Sequence, residues 1–131
     1  MGEHANATTI RGTYAAFATG DMETIAASWA PEVRWHEAGS HPLAGDYKGR
    51  DEIFGLFGRL VEESGGTFKA ELEDVLVNSV GDVVAIHRAT AERNGKRYSA
   101  REALAIEMTD GKAVNIRHVV ADLDEANAFW S

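Results

Sequence analysis

Two hydrophobic periodicities divide this 131-residue chain, a helical one in its first half and an alternating one in its second. From Asn6 to Thr19, the apolar residues Ile10, Tyr14 and Phe17 recur at spacings of four and three, the stripe of an amphipathic helix. Gly20 suits the position just beyond its end, and Asp21 can cap a second helix. There Met22, Ile25 and Trp29 form one stripe ahead of Pro31. Val33 to Glu37 reads as a short strand, and Ala38 to Gly49, with Gly39, Pro42, Gly45 and Gly49, as a loop. Arg50 to Ser64 predicts a third helix with Ile53, Phe57, Leu60 and Val61 on one face, stopped by Gly65-Gly66.

Beyond that point the pattern predicts four strands, over Thr67 to Val80, Val83 to Arg93, Lys96 to Thr109 and Lys112 to Ala121. They are separated by Gly81-Asp82, Asn94-Gly95 and Asp110-Gly111, which read as tight hairpins. Asp122-Leu123-Asp124-Glu125 has capping-box spacing, so a last short helix is expected to carry Phe129 and Trp130 back to the body. The sum is one α+β domain over residues 1–131: a curved, mostly antiparallel sheet wrapped over three N-terminal helices and enclosing a pocket.

Charge and composition narrow what such a pocket can serve. With 21 acidic against 13 basic residues and no basic run, the chain lacks the footprint of a nucleic-acid binder and has little to offer an anionic membrane. Cysteine is absent, which excludes disulfides, thiolate metal ligands and a cysteine nucleophile. The first nine residues lack the apolar core of a signal peptide and no apolar run reaches membrane-spanning length, so a cytoplasmic protein is expected. No Gly-x-Ser-x-Gly elbow, Walker loop or dinucleotide fingerprint is present, and no cofactor is expected.

The polar residues that break apolar rows are the candidates for chemistry. On the third strand of the meander, Tyr98, Ala100, Glu102, Leu104, Ile106 and Met108 share one face, so Glu102 interrupts an apolar row. A carboxylate there needs a partner, a wet cavity or a raised pKa, each compatible with acid–base work and with a plain buried ion pair. On the fourth strand His118 shares a row with Val114, Ile116 and Val120, while Asn115, Arg117 and Val119 form the other. Glu37, ending the first strand after Trp35 and His36, is a plausible general base. His36, Glu37 and His41 have no metal-ligand spacing, so no metal site is expected. His87 reads as structural. Tyr14, Trp35 and Phe57 fall at core spacings and can also line an apolar pocket.

Tyr14-Ala-Ala-Phe-Ala-Thr-Gly-Asp21, Trp29-Ala-Pro-Glu-Val33, Trp35-His-Glu-Ala-Gly39 and Pro42-Leu-Ala-Gly-Asp-Tyr-Lys-Gly-Arg50 together resemble the SnoaL-like proteins of the nuclear transport factor 2 and ketosteroid isomerase superfamily. The resemblance implies a cone-shaped, cystatin-like α+β barrel, a scaffold that hosts isomerases, cyclases, epoxide hydrolases, dehydratases and non-enzymes. It places the general base of the ketosteroid isomerases on Glu37, their tyrosine donor on Thr13 beside Tyr14, and their aspartic acid donor on Leu104. The acid that cyclases and epoxide hydrolases hold on the last strand falls on Val119, with Arg117 two residues before it on the same face, and this departure argues against both of those activities. By this alignment Arg117 and Val119 point inward, and periodicity alone would turn Ile116 and His118 inward instead.

Two functions follow. The first is a small-molecule enzyme performing cofactor-independent isomerisation, cyclisation or elimination on a mostly apolar organic substrate. Glu37 and Glu102 would be its catalytic carboxylates, and Tyr14, Trp35, His36, Leu56, Phe57, Leu104, Arg117, His118 and Val119 would line the substrate site. The second is a non-catalytic ligand-binding or dimerisation module. A homodimer through the outer sheet face, with Arg88, Thr90 and Glu92 as contacts, is expected by analogy.

Overall fold

The protein is described from a computed structural model covering residues 3–131. Helix α1 (Ala5–Thr19) begins where the His4 ring accepts the Asn6 amide at 3.0 Å, and it stops at Gly20, whose φ of 73° turns the chain left-handed. Asp21 then caps α2 (Met22–Ala27) by accepting the Thr24 amide at 3.1 Å. This helix is shorter than its apolar stripe suggests. Trp29 belongs instead to strand β1 (Trp29–Glu37), which begins four residues ahead of the expected Val33. Pro31 lies inside β1, and the pairing of β1 with its neighbour shifts register between Trp29 and Arg34, as a residue without an amide proton requires.

The glycine-bearing loop also holds a short strand, β2 (Gly45–Lys48), paired antiparallel to β1. Helix α3 (Gly49–Glu63) follows and buries Ile53, Leu56, Phe57 and Leu60. At roughly 1.5–3 kcal/mol for each fully buried large apolar side chain, this face alone is a substantial share of the gross stabilisation.

Strands β3 (Lys69–Val77), β4 (Val83–Arg93), β5 (Lys96–Thr109) and β6 (Lys112–Val120) form the meander. Asn94-Gly95 has φ values of 52° and 77°, and Asp110-Gly111 of 51° and 76°. Positive φ at both central residues makes these two-residue turns follow the right-handed twist of the strands they join. The β3–β4 connection differs: β3 ends at Val77, and the Asn78 side chain accepts the amides of Val80 and Asp82 to organise a wider loop. Helix α4 (Leu123–Trp130), capped by Asp122 on the Glu125 amide, buries Ala126, Phe129 and Trp130.

The sheet runs β2-β1-β6-β5-β4-β3, antiparallel except for the β1–β6 pair. Among the described residues β2 and β3 do not pair, so the sheet is curved and open, in keeping with the cone-shaped α+β fold that the resemblance implies. Val83, Ala85, Ala89, Ala91, Leu104, Ile106 and Ile116 are buried on its concave face, while Arg88, Thr90 and Glu92 lie on the convex side. None of the described helices is long and apolar enough to cross a membrane.

Candidate active site

Four inward rows of the sheet are apolar except for one residue each, and these four residues fall on adjacent strands. His87 on β4 pairs in register with Glu102 on β5. His118 on β6 pairs with Leu104, one inward position along from Glu102. Glu37 on β1 follows His36, which pairs with Arg117. The result is a polar line, His87–Glu102–His118–Glu37, crossing the concave face of β4, β5, β6 and β1. Helix α1 lays Tyr14 over one end of it.

Hydrogen bonds join the line into a network. Both oxygens of Glu102 are occupied: Oε1 faces Nε2 of His118 at 2.8 Å and Nε2 of His87 at 3.2 Å, and Oε2 accepts the Tyr98 hydroxyl at 2.7 Å. The Tyr14 hydroxyl contacts Nδ1 of His87 at 2.7 Å. On the other side, Nδ1 of His118 accepts the Ala38 amide at 3.2 Å and stands 3.4 Å from Oε1 of Glu37. That same oxygen accepts the Trp35 indole N–H at 2.9 Å. Oε2 of Glu37 makes no hydrogen bond with any described residue and is not sealed from the space beside it.

This space is a cavity of about 80 Å³, enough for several waters or one compact organic molecule, since a single water needs roughly 10–15 Å³. Its polar end is formed by Glu37, Glu102, His87, His118 and Tyr14, and its walls by apolar and aromatic side chains such as Phe17, Trp29, Trp35, Phe57 and Trp130. Tyr14, Trp35, Phe57, Leu104 and His118 therefore line the cavity as the sequence suggests.

The network moves the carboxyl groups apart in acidity. Burial alone would raise the pKa of Glu102, but the hydrogen bonds from His118 and His87, the charge of His118 and the Tyr98 hydroxyl outweigh it and bring it to about 2. Burial dominates at Glu37 and raises its pKa, against the opposing effects of the His118 charge and the Trp35 indole N–H. Burial would lower that of His118, yet the neighbouring Glu37 charge and the bond to Glu102 raise it. One carboxylate is thus held ionised, and a second shares its proton balance with an imidazole. Such separation suits one group to orient and the other to exchange protons.

Several sequence expectations are corrected here. Arg117 and Val119 point outward, Val119 being 50% exposed. The reason is a bulge: Glu107 pairs with Asn115 but Met108 with Ala113, leaving Val114 as the extra residue. The bulge turns Ala113 and then Ile116 and His118 inward, and removes Val114 from their row. His36 faces away from the cavity and pairs with Asp46 at 2.7 Å. Leu56 is fully buried but is not among the residues that line the cavity. His87 lines the cavity rather than serving only the core, and its interruption of the Val83, Ala85, Ala89, Ala91 row is the sequence signal for this. Tyr98 supports Glu102 from a buried position outside the lining.

Comparison with known proteins agrees with this architecture. The chain is similar to Uncharacterized protein Rv0034 of Mycobacterium tuberculosis, 34% identical over 131 residues and the full length of both chains. It is also similar to Bal32a, from a soil-derived mobile gene cassette, at 43% identity, a TM-score of 0.94 and coverage of 97% of each chain. A Xanthomonas campestris protein of unknown function with a cystatin-like fold follows at 26% identity and a TM-score of 0.88, covering 96% of this chain and 98% of its own. The SnoaL-like domain family matches residues 10–130, and the chain belongs to that family.

Proposed function

We propose that this protein is a small-molecule enzyme that moves protons on a mostly apolar organic substrate without a cofactor, in an isomerisation, cyclisation or elimination of the polyketide-cyclase or ketosteroid-isomerase type. The observation that carries this reading is the free Oε2 of Glu37 at the polar end of an otherwise apolar cavity. Glu37 is the general base, with its basicity increased by burial, and returns the proton as acid later in the reaction. His118 shares the proton balance of Glu37 across 3.4 Å. Glu102 is a positioning residue, because each of its oxygens is already held by the protein.

The test is exchange of α-protons for deuterium in small enolisable ring ketones with and without a phenolic hydroxyl, such as 6-hydroxy-2-tetralone and 2-tetralone, followed by NMR in heavy water. Accelerated exchange is expected, and Glu37→Gln should reduce it by about 10²-fold or more with the circular dichroism spectrum unchanged. Exchange that is equally fast in Glu37→Gln would remove Glu37 from this role. Absence of acceleration across the panel would favour ligand binding without turnover. Thr13 is the observation behind that second reading, since its hydroxyl is engaged by Ser28 and the Thr9 carbonyl rather than presented as a donor. A homodimer through the convex sheet face, where Arg88 and Glu92 project, belongs to the same proposal and is tested by light scattering.

A further inference from the structure

The cavity's polar end has hydrogen-bond donors whose protons can be traced one by one. Glu102 is a carboxylate that receives contacts from three side chains, two of them imidazole Nε2 atoms. Its low pKa keeps it ionised, so it offers lone pairs only. A neutral imidazole carries one N–H, and a bare Nε2 facing this carboxylate at 3.2 Å would set lone pair against lone pair. In neutral His87 the proton therefore resides on Nε2, and Nδ1 is an acceptor. The contact at 2.7 Å between Nδ1 and the Tyr14 hydroxyl then has one sense: Tyr14 donates. Its only proton points at His87, and its oxygen turns lone pairs to the cavity.

The same holds for the neighbouring donors. In neutral His118, Nε2–H is committed to Glu102 while Nδ1 accepts from Ala38; the Trp35 indole N–H is committed to Glu37, and the Thr13 hydroxyl to Ser28 or Thr9. With Glu37 ionised, what this end offers an incoming molecule is acceptors: the Tyr14 oxygen and Oε2 of Glu37.

We infer that this site selects compact ring compounds bearing a phenolic or enolic hydroxyl, which donates to the Tyr14 oxygen or to Glu37, over ring compounds whose only polar group is a carbonyl. The inference rests on the cavity of the proposed function and specifies its substrate class. It is a statement about binding, so it stands or falls separately from turnover.

Isothermal titration calorimetry of the intact protein with 2-naphthol, its methyl ether and 2-acetylnaphthalene tests it, at about pH 8, below the ordinary phenol range so that the naphthol keeps its proton. The naphthol should bind at least about 10-fold more tightly than either acceptor-only analogue, because they leave the buried acceptors without a donor. Ketone or ether binding as tight as the naphthol's, or no naphthol binding up to its solubility limit, overturns the inference. His87→Leu provides an independent arm. It removes the acceptor that holds the Tyr14 proton, while Glu102 keeps His118 and Tyr98, so ketone affinity should rise relative to naphthol. An unchanged preference in a folded His87→Leu protein contradicts the proton assignment; if that variant fails to fold, the three-ligand comparison on the unaltered protein decides alone. Slow deuterium exchange alongside a strong naphthol preference would count against the proposed catalysis and leave this inference intact.

Discussion

Glu37 and Glu102 are the same residue type with opposite surroundings, and the difference lies in which oxygens the protein has already used. Glu102 has two imidazoles and a phenol around it, whereas Glu37 has one indole N–H and an imidazole on a single oxygen. Two effects that raise the pKa of His118, a hydrogen bond and a nearby charge, come from Glu102, and a third comes from Glu37. Glu102→Gln removes the charge and turns the hydrogen bond into a weaker neutral one while leaving the imidazole buried, so the His118 pKa should fall. NMR titration of the imidazole resonances in both proteins measures it; an unchanged or higher value would mean that Glu102 does not hold His118 as described. Sequence alone marked three of the four polar residues in this line, because Glu102 and His118 each share an apolar row and Glu37 ends a strand beside Trp35. His87 stood out equally, but its partner is across a strand pair, and strand register is not written in any single segment.

At the scale of elements, the turns were the most legible features and the first strand the least. Asn94-Gly95 and Asp110-Gly111 demand positive φ and therefore announce their hairpins, whereas Trp29 satisfies a helical stripe and a strand equally well until tertiary packing chooses. The bulge at Val114 was similarly hidden, since a one-residue insertion shows only when both strands are seen together. The segment after Glu37 carries a further local constraint. Gly39 has φ of 116°, and a Cβ there would stand 2.7 Å from the Asn127 side-chain oxygen and 2.8 Å from the His41 ring. That Asn127 oxygen accepts the Ser40 amide at 2.8 Å, tying the loop to α4 and hence to Trp130 in the cavity wall. Gly39→Ala should destabilise the fold by at least about 1 kcal/mol, through strain at positive φ and through the displaced Asn127. Urea denaturation reads this directly. A midpoint equal to that of the unaltered protein would show that the loop relaxes freely and is not fastened to α4.

For the whole molecule, the cost of assembling a charged network inside the cone should be visible as a pH dependence of stability. The groups facing Glu102 are His87, His118 and Tyr98 directly, with Tyr14 and Glu37 one contact further. Its pKa lies below the ordinary value of 4.5, at about 2, so its contribution is complete above pH 4.5 and is lost as pH falls through about 2. His118 is shifted upward from 6.5, so its contribution is complete below that pH and is lost as pH rises through the raised value. These are one interaction seen from its two ends, and adding them would count it twice. The stability difference between the unaltered protein and Glu102→Gln should therefore be largest between pH 4.5 and 6.5 and shrink on either side. On the acid side the loss should approach about 3 kcal/mol by pH 2, at roughly 1.4 kcal/mol per pKa unit. That is a large share of the roughly 5–15 kcal/mol by which domains of this size are stable, so the cone should become acid-labile as pH approaches 2, after most of its surface carboxylates are protonated. Chemical denaturation of both proteins across this range tests it, and a difference that stays flat with pH would show that the network adds no net charge interaction to folding.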